Sequence, residues 1–187
     1  MTTTTLMTIE EFLALPDDGV DRELIRGELR EKGMTVRNRY HSHAVVNACY
    51  LLKAYAIAHP QLGWKVLGGE AGFILDRETE TTVGVDVAVI SAETLRSQFN
   101  KKTSLVDGVP VLAVEVLSPS DTHEAIHEKT DLYLEHGVAL VWLVDTDDKT
   151  VKVYRPGRPP ELFNCDQELD GESVLPGFRA PVAAFFD

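Results

Sequence analysis

The sequence predicts an α/β domain in which helices flank a mixed central sheet. Apolar, β-branched runs recur in the middle of the chain and are typical of strands, at residues 64–75, 83–91 and 111–118. A long helical pattern precedes them at residues 40–58, and a second helix follows them and leads into an apolar strand at residues 140–144. A strand, a helix and a strand in succession form a parallel crossover, so the sheet should contain at least one parallel pair.

The composition fits one folded domain spanning residues 1–187. Hydrophobic residues make up 44% of the chain, enough to build a core. No apolar run is long enough to span a bilayer, and the polar start lacks the charged-then-apolar pattern of a signal peptide. Cys49 and Cys165 are far apart and match no metal or redox spacing. These features predict a protein of the reducing cytoplasm with no membrane partner.

The net charge of −12 argues against a general nucleic-acid coat protein, because such binding depends on neutralising phosphates with Lys and Arg. It leaves a nuclease open, since a divalent ion would offset clustered carboxylates. Residues 21–39 hold six basic and four acidic side chains, a local excess of two positive charges. This segment is compatible with a DNA-facing patch and equally with an ordinary solvated face.

The first elements are short and the third is a long helix. Thr8 followed by Glu11 has the form of a capping box and predicts a short helix. Residues 23–30 are typical of two short strands that turn at Gly27. The helix at residues 40–58 is apolar nearly all round, which predicts burial on more than one side. It should therefore lie centrally in the core or form part of a dimer interface.

The crossover helix and the C-terminal part complete the predicted order. Asp121 followed by Glu124 has the form of a second capping box, and Gly137 is a natural left-handed end for the helix that it starts. Residues 145–150 turn the chain into a strand at residues 151–154. The Gly- and Pro-containing C-terminal part should add a small hairpin and a sheet edge.

Three carboxylates lie where a strand would bury them. Glu115 interrupts the apolar run VLAVEVL, and Asp86 interrupts VGVDVAVI. Glu70 follows two glycines, which allow another group to approach the backbone closely. A buried carboxylate is costly unless a cation, a metal ion or a proton exchange requires it. Each acid therefore needs a partner.

Lys129 supplies a candidate partner from the crossover helix. At about 100° per residue it falls near the middle of the buried face of that helix, which is defined by Ala125, Ile126, Leu132 and Tyr133. A lysine pointed at the sheet, one connection after Glu115, predicts that the two side chains meet. One interpretation is a purely structural ion pair, which is the commoner case for any one residue alone. Taken together on adjacent elements, the lysine and the three acids favour a site for Mg²⁺ or Mn²⁺.

Seven segments together resemble one family. In order they are RELIRGEL, GGEAGF, VDVAVI, LAVEVLSPS, EKTDLYLEHGVALVWLVD, VKVYRP and LPGF. They resemble the Uma-type family of restriction endonuclease-like proteins, within the PD-(D/E)XK nuclease superfamily. The resemblance runs from about residue 21 to the C-terminus. It implies a restriction-endonuclease-like core of one helix, three strands, a helix and a strand, with small added hairpins.

The resemblance implies roles for individual residues. Asp86 matches the acid of the PD motif and Glu115 the acid of (D/E)XK, and Val85 replaces the proline, which is not a ligand. Leu117 stands where the motif has lysine, and Lys129 in the following helix fits that role. Asp86, Glu115 and Lys129 are therefore the expected catalytic residues. Asp86 and Glu115, with Glu70 as a further contact, are the expected metal ligands.

The implied activity is that of a Mg²⁺- or Mn²⁺-dependent endodeoxyribonuclease that acts on DNA as a homodimer. A protein that kept the fold without catalysis, as a DNA-binding or assembly module, is the alternative of another class. In that case the buried acids would only form ion pairs. Hydrolysis of RNA or of a nucleotide is a third possibility, because the same acids and the same ion would serve it.

Residues outside this set have weaker predictions. His43 could lie at the rim of the cleft, whereas His41 is expected to pack or to cap its helix. Glu23 and Glu28 flank the Gly27 turn, and either could reach the cleft, although a solvated hairpin is the favoured interpretation for both.

Overall fold

The computed structural model describes residues 6–32, 38–99, 101, 103–119 and 121–187. Within these ranges the helices are α1 (Ile9–Leu13), α2 (Arg39–Ala58), α3 (Ala92–Ser97) and α4 (His123–Glu135), with 3₁₀ turns at Pro60–Leu62 and Val182–Phe185. The strands are β1 (Asp21–Ile25), β2 (Glu28–Lys32), β3 (Lys65–Asp76), β4 (Thr81–Ile90), β5 (Val106–Asp107), β6 (Leu112–Val116), β7 (Leu140–Asp145), β8 (Thr150–Arg155), β9 (Arg158–Asn164), β10 (Glu168–Asp170) and β11 (Arg179–Pro181).

The central sheet is mixed and mainly antiparallel. Its main order is β2-β1-β4-β6-β7-β8-β9, and β3 pairs with β4 and β5. The pairs β6–β7 and β3–β5 are parallel, and the other pairs of this sheet are antiparallel. The helix α4 connects the parallel strands β6 and β7, which confirms the predicted crossover. Strands β10 and β11 form a separate small hairpin-like pair.

Helices cover both faces of this sheet. On one face α2 contributes Ala48 and Leu52 to a core that includes Trp142. On the other face α4 contributes Leu132 to a core that includes Val141. Trp142 and Val141 are neighbours on β7, and side chains alternate along a strand, so the two cores lie on opposite faces. The predicted arrangement of a central sheet flanked by helices is confirmed.

Helix α2 matches its predicted length but is buried on one side only within the chain. Val46, Tyr50 and Ile57 are 63%, 71% and 69% exposed. The helix therefore carries an apolar stripe, Val46, Tyr50 and Ile57, that the other described residues do not cover. None of the helices in the described ranges has both the length and the apolar character needed to cross a membrane.

The start of α4 differs from its prediction. Thr122, not Asp121, is the cap residue, and its Oγ1 accepts a hydrogen bond from the Ala125 amide at 3.2 Å. Asp121 instead accepts from the Ser118 amide at 2.7 Å, within the preceding turn. The capping box predicted at Asp121 is therefore wrong, because the turn uses its carboxylate. The helix ends as predicted, with Gly137 at a φ of +88°.

Candidate active site

Asp86 and Glu115 lie on adjacent strands at the point where the pairing of those strands ends. The β4–β6 register pairs Val87 with Val114 and ends there, so Asp86 and Glu115 are the next residues on their strands beyond the last paired ones. The ladder stops there because the Val116 amide donates to Asp86 Oδ2, at 2.8 Å. Asp86 contacts His41 of α2 and Glu115 contacts Lys129 of α4, and both carboxylates line one cavity at this end of the pairing. The two acids that interrupt the apolar runs are thereby brought together.

Asp86 is almost completely buried, at 5% exposure. Its Oδ2 lies 3.3 Å from Nε2 of His41 in the first turn of α2. Burial alone would raise the pKa of Asp86, but the His41 ring, the Val116 amide and Lys129 outweigh it and lower that pKa. Asp86 is therefore held as a carboxylate.

Lys129 makes the contact that its position in the helix predicts. Its Nζ lies 3.0 Å from Glu115 Oε2 and 3.6 Å from Glu23 Oε1. Burial favours the neutral amine, yet Glu115 and Glu23 together raise the pKa of Lys129 above its usual value. The side chain is thus a permanently charged ammonium between two acids.

Glu115 is a buried carboxyl whose two oxygens each accept a hydrogen bond. Tyr133 donates its hydroxyl hydrogen to Glu115 Oε1, while Lys129 donates to Oε2. Burial and the neighbouring Asp86 nevertheless raise the pKa of Glu115 to about 7. Burial therefore disfavours the charged form of Glu115 more than Lys129 favours it.

Glu23 belongs to this site, contrary to the favoured interpretation. It is 7% exposed, and its Oε1 accepts a hydrogen bond from the Gly84 amide of β4 at 3.0 Å. The solvated position expected for the hairpin holds for Glu28 only. The reason is the pairing of β1 with β4, at Leu24 and Thr82, which places β1 beside β4 in the sheet and Glu23 next to Gly84.

Glu70 reaches the same cavity from a bulge in β3. The register of β3 with β4 shifts between Gly68 and Ala71, and Gly69 and Glu70 have φ values of +83° and +59°. A non-glycine residue in this region costs about 1 kcal/mol or more. Gly84 leaves room for the carboxylate, because a Cβ there would lie 3.1 Å from Glu70 Oε2. A strained acid beside a glycine is typical of a functional position.

The four acids line one cavity of about 290 Å³. Its lining in the described ranges holds seven acidic residues, namely Glu23, Glu31, Glu70, Asp86, Glu115, Asp121 and Glu128. The same lining holds two basic residues, Arg30 and Lys129. Of the basic segment predicted at residues 21–39, Arg30 thus reaches the cavity, while Arg37 lies outside the described residues. The cavity is strongly acidic, so it would attract cations.

The prediction for His43 is wrong, whereas His41 packs as predicted and also contacts a site carboxylate. His43 is exposed, and its Nε2 lies 2.7 Å from the Asp187 carbonyl oxygen, away from the cavity. His41 is buried and contacts Asp86. Its spacing could have shown this, because His41 precedes Ala44 and Ala48 on the buried face of α2.

The donor set fits a divalent metal ion in charge and chemistry. Carboxylate oxygens are the ligands that Mg²⁺ and Mn²⁺ prefer. Burial raises the pKa of Glu115, and a bound divalent ion would favour its charged form. The side chains do not form a ready-made cage, since the described residues hold no group of three or more His, Cys, Asp or Glu placed to bind a metal.

Comparisons with known proteins point to one family. The sequence profile of the Uma2 family, described as "Putative restriction endonuclease", matches residues 9–183. A crystal structure of "a putative nuclease belonging to DUF820" from Anabaena variabilis ATCC 29413 matches with a TM-score of 0.79. The two chains are 23% identical, and the match covers 96% of this chain and 97% of that one. This likeness shows the fold. No curated protein matches the chain significantly.

Proposed function

The chain belongs to the Uma2 family of restriction endonuclease-like proteins, and on this premise we propose that its acidic cavity hydrolyses phosphodiester bonds in DNA with Mg²⁺ or Mn²⁺. Restriction endonuclease-like nucleases typically use divalent metals. One observation carries the proposal: Lys129 Nζ lies 3.0 Å from Glu115 Oε2 in the cavity that also holds Asp86. Acids from neighbouring strands and an amine from the next helix are the groups that this chemistry requires.

In this proposal Asp86 and Glu115 hold the ion, and Glu70 is a further ligand or contacts its water. A bound divalent ion acidifies a water molecule and offsets charge on the scissile phosphate. Asp86 suits the role because it is kept ionised, and Glu115 because Tyr133 and Lys129 fix both of its oxygens. His41 and the Val116 amide orient the Asp86 carboxylate in the same way.

Lys129 acts as a donor and a cation, not as a base. Because the pKa of Lys129 is raised by Glu115 and Glu23, the ammonium keeps its protons near neutral pH. Its Nζ can therefore hold the attacking water by a hydrogen bond and stabilise the charge that develops on the phosphate. This role needs the buried, fixed position that Glu115 gives to the side chain.

The experiment that tests the proposal is cleavage of supercoiled plasmid by the purified protein with Mg²⁺, with Mn²⁺ and with EDTA. We expect nicked or linear product with either ion and none with EDTA. Single-stranded RNA in the same buffers separates a deoxyribonuclease from a ribonuclease. Intact substrates in every buffer would leave the alternative, a protein that kept the fold as a DNA-binding or assembly module.

We also propose that the protein forms a homodimer through the exposed stripe of α2. If two α2 helices pack antiparallel about an axis between Tyr50 and Lys53, Val46 of one copy faces Ile57 of the other. Tyr50 then faces Lys53, and an ammonium over a tyrosine ring is a favourable pair. The same patch thus complements itself, as a two-fold interface requires. The opposite side of each helix carries His41 to its own cavity.

The double substitution Val46→Asp/Ile57→Asp should convert the dimer to a monomer, because it places four carboxylates in the two-fold contact. Light scattering on a sizing column measures the mass directly. Leu162→Asp is the matched control, since Leu162 is 62% exposed on β9 and outside the stripe. A monomeric wild-type protein, or a double variant that stays dimeric, would contradict this interface.

A further inference from the structure

Arg30 stands at the rim of the acidic cavity, on the hairpin of β1 and β2. The hairpin register places it directly opposite Glu23, so both side chains point to the same face. Glu23 in turn lies 3.6 Å from Lys129 Nζ. Arg30 therefore lies opposite the residue that contacts the Lys129 ammonium. It also lines the same cavity as Lys129.

Glu128 holds the Arg30 guanidinium in a two-pronged pair. The distances are 2.5 Å from Nη1 to Oε2 and 2.8 Å from Nη2 to Oε1. Glu128 immediately precedes Lys129 in α4, so this pair closes the cavity rim next to the catalytic lysine. The two side chains are 41% and 45% exposed, and such exposed pairs contribute little to stability.

Because the cavity is acidic, binding a phosphodiester there requires a cation in addition to Lys129, and Arg30 can supply it. Seven acidic side chains in the described lining would repel a phosphodiester. Lys129 is already bonded to Glu115, which leaves Arg30 as the second cation of that lining. A guanidinium fork binds two phosphate oxygens with the same geometry that it uses for a carboxylate. Glu128 thus occupies the position that a phosphate group would take.

We propose that Arg30 is the phosphate-binding residue of this site and that Glu128 blocks it until a nucleic-acid phosphate displaces the carboxylate. The inference rests on the nucleic-acid substrate proposed above. It requires that removing the charge of Arg30 weakens substrate binding and that removing the charge of Glu128 strengthens it. A pair that only clamps the hairpin to α4 would give effects of the same sign.

The test is fluorescence anisotropy of a fluorescein-labelled DNA duplex with Mn²⁺, in a Lys129→Met background so that cleavage is slow compared with the binding measurement. Arg30→Ala should raise the Kd about tenfold, because a charge-assisted contact to phosphate is lost. It should also reduce the salt dependence of binding by about one phosphate contact. Glu128→Gln should lower the Kd about threefold or more, because the guanidinium is released.

A second arginine pair on the same hairpin and helix provides the matched control. Arg26 Nη2 lies 2.6 Å from Glu135 Oε2, outside the acidic cavity. Arg26→Ala and Glu135→Gln should leave the Kd unchanged within about twofold, since neither side chain lines that cavity. Equal responses from both pairs would indicate a general charge effect and overturn the assignment.

Two further outcomes separate this inference from the proposed activity. Weaker binding in both Arg30→Ala and Glu128→Gln, with metal-dependent cleavage by the wild-type protein, would remove the phosphate site and keep the nuclease. Opposite effects on binding without cleavage by the wild-type protein would keep the phosphate site and remove the nuclease. Absence of duplex binding by all of these proteins would overturn the inference.

Discussion

We expect Lys129→Met to lower the rate of the proposed metal-dependent plasmid cleavage by about 10²- to 10³-fold, the usual cost of removing one fixed donor from a developing charge. The substitution keeps the length and the apolar stem of the side chain but removes its ammonium. Glu115 then loses its cation, and its already raised pKa rises further, so it takes up a proton instead of remaining as an unpaired buried charge. The fold should survive for this reason.

The matched control for this prediction is Lys65→Met, an exposed lysine on β3 outside the cavity. Its cleavage rate should equal that of the wild-type protein. Far-ultraviolet circular dichroism and the thermal midpoint establish that both variants are folded. Wild-type cleavage by folded Lys129→Met protein would remove Lys129 from the mechanism.

Glu115→Gln should make the metal-free protein less sensitive to alkaline pH. Burial raises the pKa of Glu115 from 4.5 to about 7, so the folded state binds this proton more tightly than the unfolded state. The stability of the wild-type protein should therefore fall as the pH rises from 4.5 to 7 and level off above 7. A neutral glutamine has no proton to lose. The free energy of unfolding of the wild-type protein thus falls by about 2 kcal/mol between pH 5 and pH 8 because Glu115 ionises.

Urea unfolding in EDTA at pH 5 and at pH 8 measures this difference. The free energy of unfolding of Glu115→Gln relative to wild type should rise by about 2 kcal/mol between the two pH values. Lys129, Tyr133, Asp86 and Glu23 surround the same carboxyl and are unchanged in both proteins, so the comparison isolates Glu115. A difference that is independent of pH would mean that Glu115 ionises normally.

The part of the site that interrupts local patterns could be predicted from the sequence. Asp86 and Glu115 stand out because each breaks an apolar strand, and Lys129 because it faces the core from an otherwise amphipathic helix. Each of these charged residues interrupts an apolar pattern that is visible within about ten residues of the chain. The same reasoning gave the order of the main strands and the parallel crossover, because hydrophobic periodicity is a local property.

The residues that were missed depend on contacts between distant segments. Glu23 enters the site only because β1 pairs with β4, and nothing within the hairpin sequence reports that pairing. The helical pattern predicts that Tyr133 is buried, but its hydroxyl bond to Glu115 depends on how α4 lies across the sheet. At Asp121 two local motifs competed for one carboxylate, and the turn with Ser118 prevailed over the helix cap.

Calorimetric titration of Mn²⁺ into the metal-free protein tests the central claim most directly, because it asks whether these acids bind a divalent ion at all. We predict saturable binding by the wild-type protein and none by Asp86→Asn/Glu115→Gln. A control with the same loss of charge, Glu124→Gln/Asp131→Asn, changes two exposed acids of α4 and should bind like the wild type. Absence of saturable binding by the wild-type protein, or equal binding by Asp86→Asn/Glu115→Gln, would contradict the proposed metal-dependent site.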